Sequence, residues 1–407
     1  MVKVKHITII NQYIGSPYHG MEYRHYYIAK NLIANGYKVT LISGSYSHLF
    51  SKLPKVTKSF TRENIDGIEY IWIKIPKYKS SKSIGRIWNM LYFSWKLNFL
   101  KVLKPSHVII SSPSLFPIKY GYKLAKRFNT KLLFEVRDIW PLTLVELSNI
   151  NDRHPLIQFM KYYEKFAYKK SYKTISLLPT AKEYFIANGM CSKKFVYLPN
   201  GIETGFEKSF ILPQDIVDKI PRNKFIIAYS GTVGIANNLD YLIDVASLLD
   251  NNTDIFFIIL GQGGEKKRLE YRVKELKLNN FLFLEPITKE QVGVFLKLID
   301  VAFISLLPEK IFRFGVSPNK VFDYMYAKKP IIWAIEAGNH LVAEAKCGMS
   351  VPLENPEKLK ESILELQGLS SEILKKLGEN GYNFVIKNHS YRELSKKLIR
   401  IIEEEDV

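Results

Sequence analysis

Cysteine is scarce in this chain. Only Cys191 and Cys347 occur in 407 residues, far apart and outside any metal-ligand spacing, which excludes a disulfide framework and points to a reducing compartment. No apolar run reaches the roughly eighteen residues that a membrane-spanning helix needs. The opening MVKVKHITII is basic and then apolar. It lacks the length and the small-residue cleavage site of a signal peptide, and reads as a first buried strand. A cytoplasmic chain is expected. Acidic residues are scarce in one half only. Residues 1–200 hold 10 Asp and Glu against 32 Lys and Arg, a net of +22, whereas residues 201–407 hold 29 against 27, a net of −2. The basic excess of the first half has three readings: nucleic acid, an anionic membrane surface, or solubility alone. The basic residues are scattered and no nucleic-acid recognition motif is present, so no nucleic-acid partner is expected. No internal repeat or low-complexity segment appears.

What is present is globular: 47% hydrophobic and 24% charged residues. The length is too great for one compact core, so two domains are expected. His6–Ile10 reads as a strand, 11–20 as a loop, 21–35 as a helix, and 37–43 (YKVTLIS) as a second strand. That succession opens a doubly wound α/β domain with a parallel sheet. The loop is not GxGxxG, so a dinucleotide fingerprint is absent. Residues 52–82 are basic and irregular apart from a strand at 69–75. Ile84, Ile87, Trp88, Leu91, Tyr92, Trp95, Phe99 and Val102 then recur at helical spacing, interleaved with Lys82, Arg86, Lys96, Lys101 and Lys104. The pattern fits an interfacial membrane helix. It equally fits a core-facing helix with snorkelling lysines. A strand at 131–137 ends in Arg137-Asp138, where ligands of open parallel sheets sit. These two residues are site candidates, or a structural ion pair. Glu146 is a weaker candidate. Further strands run into glycine loops at Gly231-Thr232 and at Gly261, and Phe281–Leu284 leads to Glu285-Pro286-Ile287.

The stretch Arg313–Ile332, RFGVSPNKVFDYMYAKKPII, organises the second half. Phe314, Gly315, Val316 and Ser317 lead through Pro318 into a helix over 319–326. Proline suits a helix's first turn. The free amides around Val316, Asn319 and Lys320 make the positive end of a helix dipole, suited to a phosphate. Asp323 shares a face with Lys320. A carboxylate beside an anion site fits sugar hydroxyls, or it is simply a surface residue of an ordinary capped helix.

This stretch resembles the nucleotide-sugar signature of retaining GT-B glycosyltransferases of family 4, in the form found in bacterial transferases that build O-antigen, capsule and lipopolysaccharide repeat units. Where many relatives carry two spaced glutamates, Asp323 stands for the second and Gly315 for the first. SPYHGMEYR resembles the family's first glycine loop, with Gly20-Met21 for the glycine pair. Val136-Arg137-Asp138 stands where relatives read V-H-D. FVYLPNGIE resembles the segment joining the two domains, and CGMSVPLENPEKL the family's C-terminal signature. The resemblance implies two Rossmann-like domains facing a cleft: an acceptor-side domain at 1–200, a nucleotide-sugar domain at 201–388, and a final helix at 389–407 crossing back to the first. It implies retaining transfer of a sugar from a UDP-sugar to a lipid-linked or growing glycan acceptor, with a lean towards an N-acetylated or 6-deoxy hexosamine such as N-acetylfucosamine. Asp323, Arg137 and Asp138 would be catalytic. Gly20, Met21, Gly231, Thr232, Gly261, Ile287, Arg313, Phe314, Gly315, Val316, Ser317, Asn319 and Lys320 would bind the donor. Relatives use an Arg and a Lys after the glycine at Gly231. None stands here, so Arg313, Lys320 and Arg137 are expected to neutralise the diphosphate. No metal and no cofactor besides the UDP-sugar substrate is expected, and the enzyme would work at the inner face of the cell membrane. A nucleotide-sugar epimerase or a non-catalytic nucleotide-sugar-binding partner would carry the same signature.

Overall fold

In a computed structural model, residues 5–20, 23–78, 84–205 and 210–404 are described. The chain forms two compact units. The first comprises Met1–Asn200, Phe314–Ser317 and Tyr391–Val407, and the second Gly201–Arg313 and Pro318–Ser390.

The first unit is built on β1 (His6–Ile10), β2 (Lys38–Gly44), β3 (Phe60–Ile65), β4 (Ile68–Ile73), β5 (His107–Ser111), β6 (Lys131–Val136), β7 (Lys173–Ser176) and β8 (Phe195–Tyr197). They form one sheet in the order β3-β4-β2-β1-β5-β6-β7-β8. Neighbouring strands run parallel, except that β3 pairs antiparallel with β4. The antiparallel edge strand β3 corrects the reading of 52–82 as irregular apart from one strand. The hairpin turns on Asp66 and Gly67, both at positive φ (51° and 83°), as a two-residue turn matched to strand twist requires. The helices are α1 (Arg24–Ala34), α2 (Ile84–Leu97), α3 (Ile118–Phe128), α4 (Leu142–Ser148), α5 (Pro155–Lys170) and α6 (Lys182–Ala187). Strands β1, β2 and β5 are almost wholly buried, as in a sheet covered on both faces. On one face Ile7, Ile9, Val39 and Leu41 meet Tyr26, Ala29 and Leu32 of α1, with Leu394, Leu398 and Ile402 from the C-terminal helix. On the other, α3 comes so close to β5 that a Cβ on Gly121 would lie 2.6 Å from Ile110.

The second unit holds β9 (Phe225–Ser230), β10 (Ile255–Leu260), β11 (Phe281–Leu284), β12 (Val301–Ser305), β13 (Ile331–Ala334) and β14 (Gly348–Ser350), in the order β11-β10-β9-β12-β13-β14 and parallel throughout. Its helices are α7 (Gln214–Val217), α8 (Asp240–Leu248), α9 (Lys266–Glu275), α10 (Lys289–Lys297), α11 (Asn319–Tyr326), α12 (Leu341–Ala345), α13 (Pro356–Gly368) and α14 (Ser371–His389). Leu242, Ile243, Val245 and Ala246 of α8 pack with Leu359, Ile363 and Leu366 of α13 against Ile227, Phe257 and Phe303 of the sheet.

The last helix, α15 (Tyr391–Glu403), packs on α1 in the first unit. Tyr391 stacks on Tyr27 with ring centroids 5.2 Å apart. The crossover falls between Ser390 and Tyr391 rather than at residue 389.

Candidate functional site

The strongest cluster of site residues lies at the carboxyl ends of β9 and β10, where parallel sheets place ligands. Each strand runs into a glycine. Gly231 and Gly261 have φ of 143° and 149°, and a Cβ on Gly261 would lie 1.9 Å from the Gly231 carbonyl oxygen. The two loops therefore pack backbone to backbone, which no larger residue at 261 permits. A Cβ on Gly231 would meet Lys320 Cε at 3.1 Å and Nζ at 3.2 Å.

Lys320 comes from the first turn of α11, whose N-cap Pro318 offers no side-chain hydrogen bond. Its ammonium donates to the Tyr229 hydroxyl and, at 3.0 Å, to Asn237 Oδ1. The Tyr229 hydroxyl in turn donates to the Thr232 carbonyl at 2.6 Å, which also accepts from Asn237 Nδ2 at 3.0 Å. This closed ring of hydrogen bonds fixes the Gly231–Asn237 loop around one lysine. Burial lowers the Lys320 pKa to about 7, against the opposing pull of Asp323. A half-buried ammonium with only neutral hydrogen-bond partners is receptive to an anion, because an anion restores the charge balance that desolvation removed. The glycine loop contributes no cation of its own, and α11 supplies one in its place.

Asp323 lies one turn further along α11, its side chain 17% exposed, and accepts from Lys289 Nζ. Lys289 opens α10, just after Ile287, which is half-buried beyond the end of β11. Gly231, Thr232, Gly261, Lys320 and Asp323 are thus brought together in the second unit, with Asn319 exposed at the helix start. Arg313 is exposed and its guanidinium donates to the Lys310 carbonyl at 2.5 Å.

Phe314–Ser317, the donor-binding candidates directly ahead of α11, are grouped with the first unit. The reason is local. The Phe314 carbonyl accepts from Thr180 N–H at 3.3 Å, its ring meets Tyr184 edge-on at 5.4 Å, and Asn200 donates to the Ser317 hydroxyl and carbonyl, each at 3.0 Å. Gly315, with φ 96°, and Val316 are buried.

In the first unit, Arg137 and Asp138 stand at the end of β6. Arg137 is half-buried, its N–H donating to Ser112 Oγ at 2.8 Å, and Asp138 is exposed. Directly beneath lies a buried charge network that the sequence reading missed. Arg24 donates to Glu135 Oε2 at 2.9–3.0 Å and to the carbonyls of Leu198 and Pro199. His25 Nε2 and Ser111 Oγ bond Glu135 Oε1 at 2.7 and 2.8 Å. Burial would raise the Glu135 pKa, but Arg24 and His25 outweigh it and hold the carboxyl well below its usual range. Gly20 is buried at φ 103° in the loop after β1. Met21 and Lys82 lie outside the described residues. Among the described residues no group of three or more His, Cys, Asp or Glu stands together as a metal-ligand set, and no helix is long and apolar enough to cross a membrane.

Residues 18–206 match the family described as Glycosyltransferase Family 4, and residues 214–384 the family described as Glycosyl transferases group 1. The two matches between them take in most of the chain. With two Rossmann-like units and these paired matches, the chain is a glycosyltransferase of the GT-B class. It is 22% identical to an uncharacterized glycosyltransferase, MJ1069, of Methanocaldococcus jannaschii, over 92% of this chain and 98% of that one. It is 21% identical to the putative colanic acid biosynthesis glycosyl transferase WcaI of Escherichia coli, over 90% of each. Among solved structures it is similar in fold to one described as trehalose-6-phosphate from E. coli bound with UDP-2-fluoro glucose, with a TM-score of 0.75, 11% identity, and coverage of 99% of this chain and 100% of that one.

Proposed function

We propose that this glycosyltransferase moves an N-acetylated or 6-deoxy hexosamine from a UDP-sugar to a lipid-linked or growing surface-glycan acceptor, with retention of anomeric configuration and without a metal ion or added cofactor. The observation that carries the reading is the position of Lys320, half-buried, packed against Gly231 and one helical turn from Asp323. Lys320 and the first-turn amides of α11 stabilise the diphosphate as it leaves. These are fixed charges and dipoles aimed at a charge that grows in the transition state. Asp323 accepts hydrogen bonds from donor-sugar hydroxyls, and Lys289 holds its carboxylate in place. Ile287 lies against the base. Arg137 and Asp138 act from the end of β6 on the reacting sugar and the acceptor. Transfer through an oxocarbenium-like state, assisted on one face by the leaving phosphate, needs no protein nucleophile. A protein of similar fold, solved with UDP-2-fluoro glucose bound, and the colanic acid relative support the donor and acceptor classes. The basic, aromatic face of α2 supports peripheral attachment to an anionic membrane.

The test is a product assay with a panel of UDP-sugars, with and without a lipid-diphosphate sugar as acceptor, in excess EDTA. Acceptor-dependent transfer with the anomeric configuration kept is the expected result. An acceptor-independent change in the donor sugar would mark an epimerase. Activity lost in EDTA and restored by magnesium or manganese would overturn the metal-free leaving-group chemistry.

A further inference from the structure

Away from the donor site, the first unit carries a groove of about 250 Å³ between α2, α3 and α5. Trp95, Phe116 and Tyr163 form its apolar walls, and Lys119 and Lys123 are its cations; among the described residues no acidic one lines it. Phe116 and Tyr163 meet edge-on at 5.3 Å. Lys119 is held in place by the rings of Tyr162 and Tyr163, its ammonium 4.6 and 4.9 Å from their centroids, a geometry that keeps the charge but leaves its hydrogen-bonding capacity for a ligand. Tyr120 also lines the groove. It is 8% exposed and its buried hydroxyl has no hydrogen-bond partner. A buried hydroxyl without a partner is costly and rare. Burial pushes its pKa up to about 12, so it stays a neutral donor.

We propose that this groove seats one anionic lipid molecule, with its phosphate on Lys119 and Lys123 and the first part of its chain between Trp95, Phe116 and Tyr163. The volume falls below the roughly 300–1,000 Å³ of a pocket for a whole drug-sized ligand, so it takes the head-proximal part of a lipid and no more. The chain then continues over Phe99, which is 59% exposed and meets Trp95 edge-on with ring centroids 5.0 Å apart. An aromatic trough ending in two lysines matches a phosphate attached to hydrocarbon. A free phosphate would use only the lysines, and a zwitterionic lipid would bring its own cation against them. The seat deepens the proposed membrane-facing role of α2 and rests on it. It is nevertheless a site for a single lipid, not a property of a bilayer surface.

The test is isothermal titration of the full chain with dihexanoylphosphatidic acid below its micelle concentration, compared with dihexanoylphosphatidylcholine and with inorganic phosphate. Saturable one-to-one binding of the phosphatidic acid is expected, with each of the other probes about tenfold weaker or more, as the loss of one charge-assisted contact implies. Lys119→Gln/Lys123→Gln should weaken the phosphatidic acid by a similar factor while leaving the melting temperature and UDP affinity unchanged. Equal affinity for inorganic phosphate or for the choline lipid overturns the seat, as does full affinity in the double variant. The three-probe comparison on the wild-type chain decides the matter even if that variant does not fold. Because the readout is binding, failure here leaves the transferase reading standing. Vesicle attachment without monomer binding would overturn the seat and leave the bilayer-facing role in place.

Discussion

Lys320 lies over the ring of Tyr229, its ammonium 4.1 Å from the ring centroid, while donating to the same residue's hydroxyl. An aromatic face and neutral hydrogen-bond partners hold the ammonium without neutralising it. Its pKa of about 7, lowered by burial, then has a sign that can be tested. A bound diphosphate favours the charged form, so above pH 7 binding must take up a proton. UDP affinity should be highest below pH 7 and fall as pH rises beyond it, by up to about tenfold per unit. Titrations in buffers of different ionisation enthalpy should report proton uptake at pH 8 and little at pH 6. Lys320→Met should lose about 1.5–3 kcal/mol of binding, the range for a hydrogen bond to a charged group, and with it the pH dependence. A pH-independent affinity in the wild-type chain would remove Lys320 from the diphosphate site.

Asp323 should separate chemistry from stability. Its pairing with Lys289, a side chain 48% exposed, is worth no more than about 1 kcal/mol to the fold. Asp323→Ala should therefore melt close to the wild-type temperature while turnover falls at least tenfold, or about 1.4 kcal/mol of transition-state stabilisation. Lys289→Met should cost less than Asp323→Ala, because it only frees the carboxylate to move. Wild-type turnover in Asp323→Ala, or a collapse of its melting transition, would show that the carboxylate is structural.

Much of this site was legible in the chain. The span of α11 follows from Pro318 and the apolar spacing of Val321, Phe322 and Met325, and Lys320 and Asp323 follow from its periodicity. Two site contacts were not legible. Tyr229 reads as one more apolar residue of a buried strand, and its role appears only when Lys320 arrives from 91 residues away. Lys289 likewise reaches Asp323 across 34 residues, with no local signal. The grouping of Phe314–Ser317 with the first unit carries no local signal either, because it depends on contacts with Asn200 and Thr180, more than 110 residues earlier in the chain. The β3–β4 hairpin did carry its signal, Asp66-Gly67 between Ile65 and Ile68. The Arg24–Glu135 pair joins residues 111 apart, a tertiary event that no spacing rule announces.

Glu164 predicts an inverted pH response. It is fully buried in α5, accepting from Tyr168 at 3.1 Å and Tyr184 at 3.4 Å. Burial raises its pKa to about 7, so the folded chain holds this proton more tightly than the unfolded one. The stability it contributes is complete below the unfolded carboxylate value, about 4.3, and is lost as pH rises towards and through 7. Glu164→Gln keeps an oxygen for Tyr168, offers an amide N–H to the Tyr184 hydroxyl, and removes the titration. Its melting temperature should match the wild type near pH 4 and exceed it at pH 8. Parallel melting profiles across that range would show that Glu164 is not titrating.

The exposed face of α2 puts the proposed membrane attachment to a test. The helix has two sides. Met90, Phe93 and Leu97 are fully buried, while Trp88 is 63% and Trp95 53% exposed. The buried side fits the core-facing reading, and the exposed side is the face on which the membrane proposal rests. The basic flank is narrower than the sequence implied. Arg86 turns inward, 5.4 Å from the rings of Tyr13 and Trp140, and Lys82 is outside the described residues. Lys96 lies 5.7 Å from the Trp95 ring centroid, and Lys101 and Lys104 are exposed just beyond the helix. At about 1 kcal/mol per basic residue near an anionic leaflet, these three lysines supply roughly 3 kcal/mol, weak enough to be reversible and screened by salt. Sedimentation with phosphatidylglycerol-containing vesicles should show binding that falls with added salt and is absent with pure phosphatidylcholine. Lys96→Glu/Lys101→Glu/Lys104→Glu should lower vesicle affinity by about a hundredfold, and Trp88→Ser should lower it without changing the salt dependence, because the indole contributes burial and no charge. Neither change touches the buried face, so both variants should melt as the wild type does. Equal binding of the triple variant to anionic vesicles at low salt would assign the charge of the first half to solubility alone.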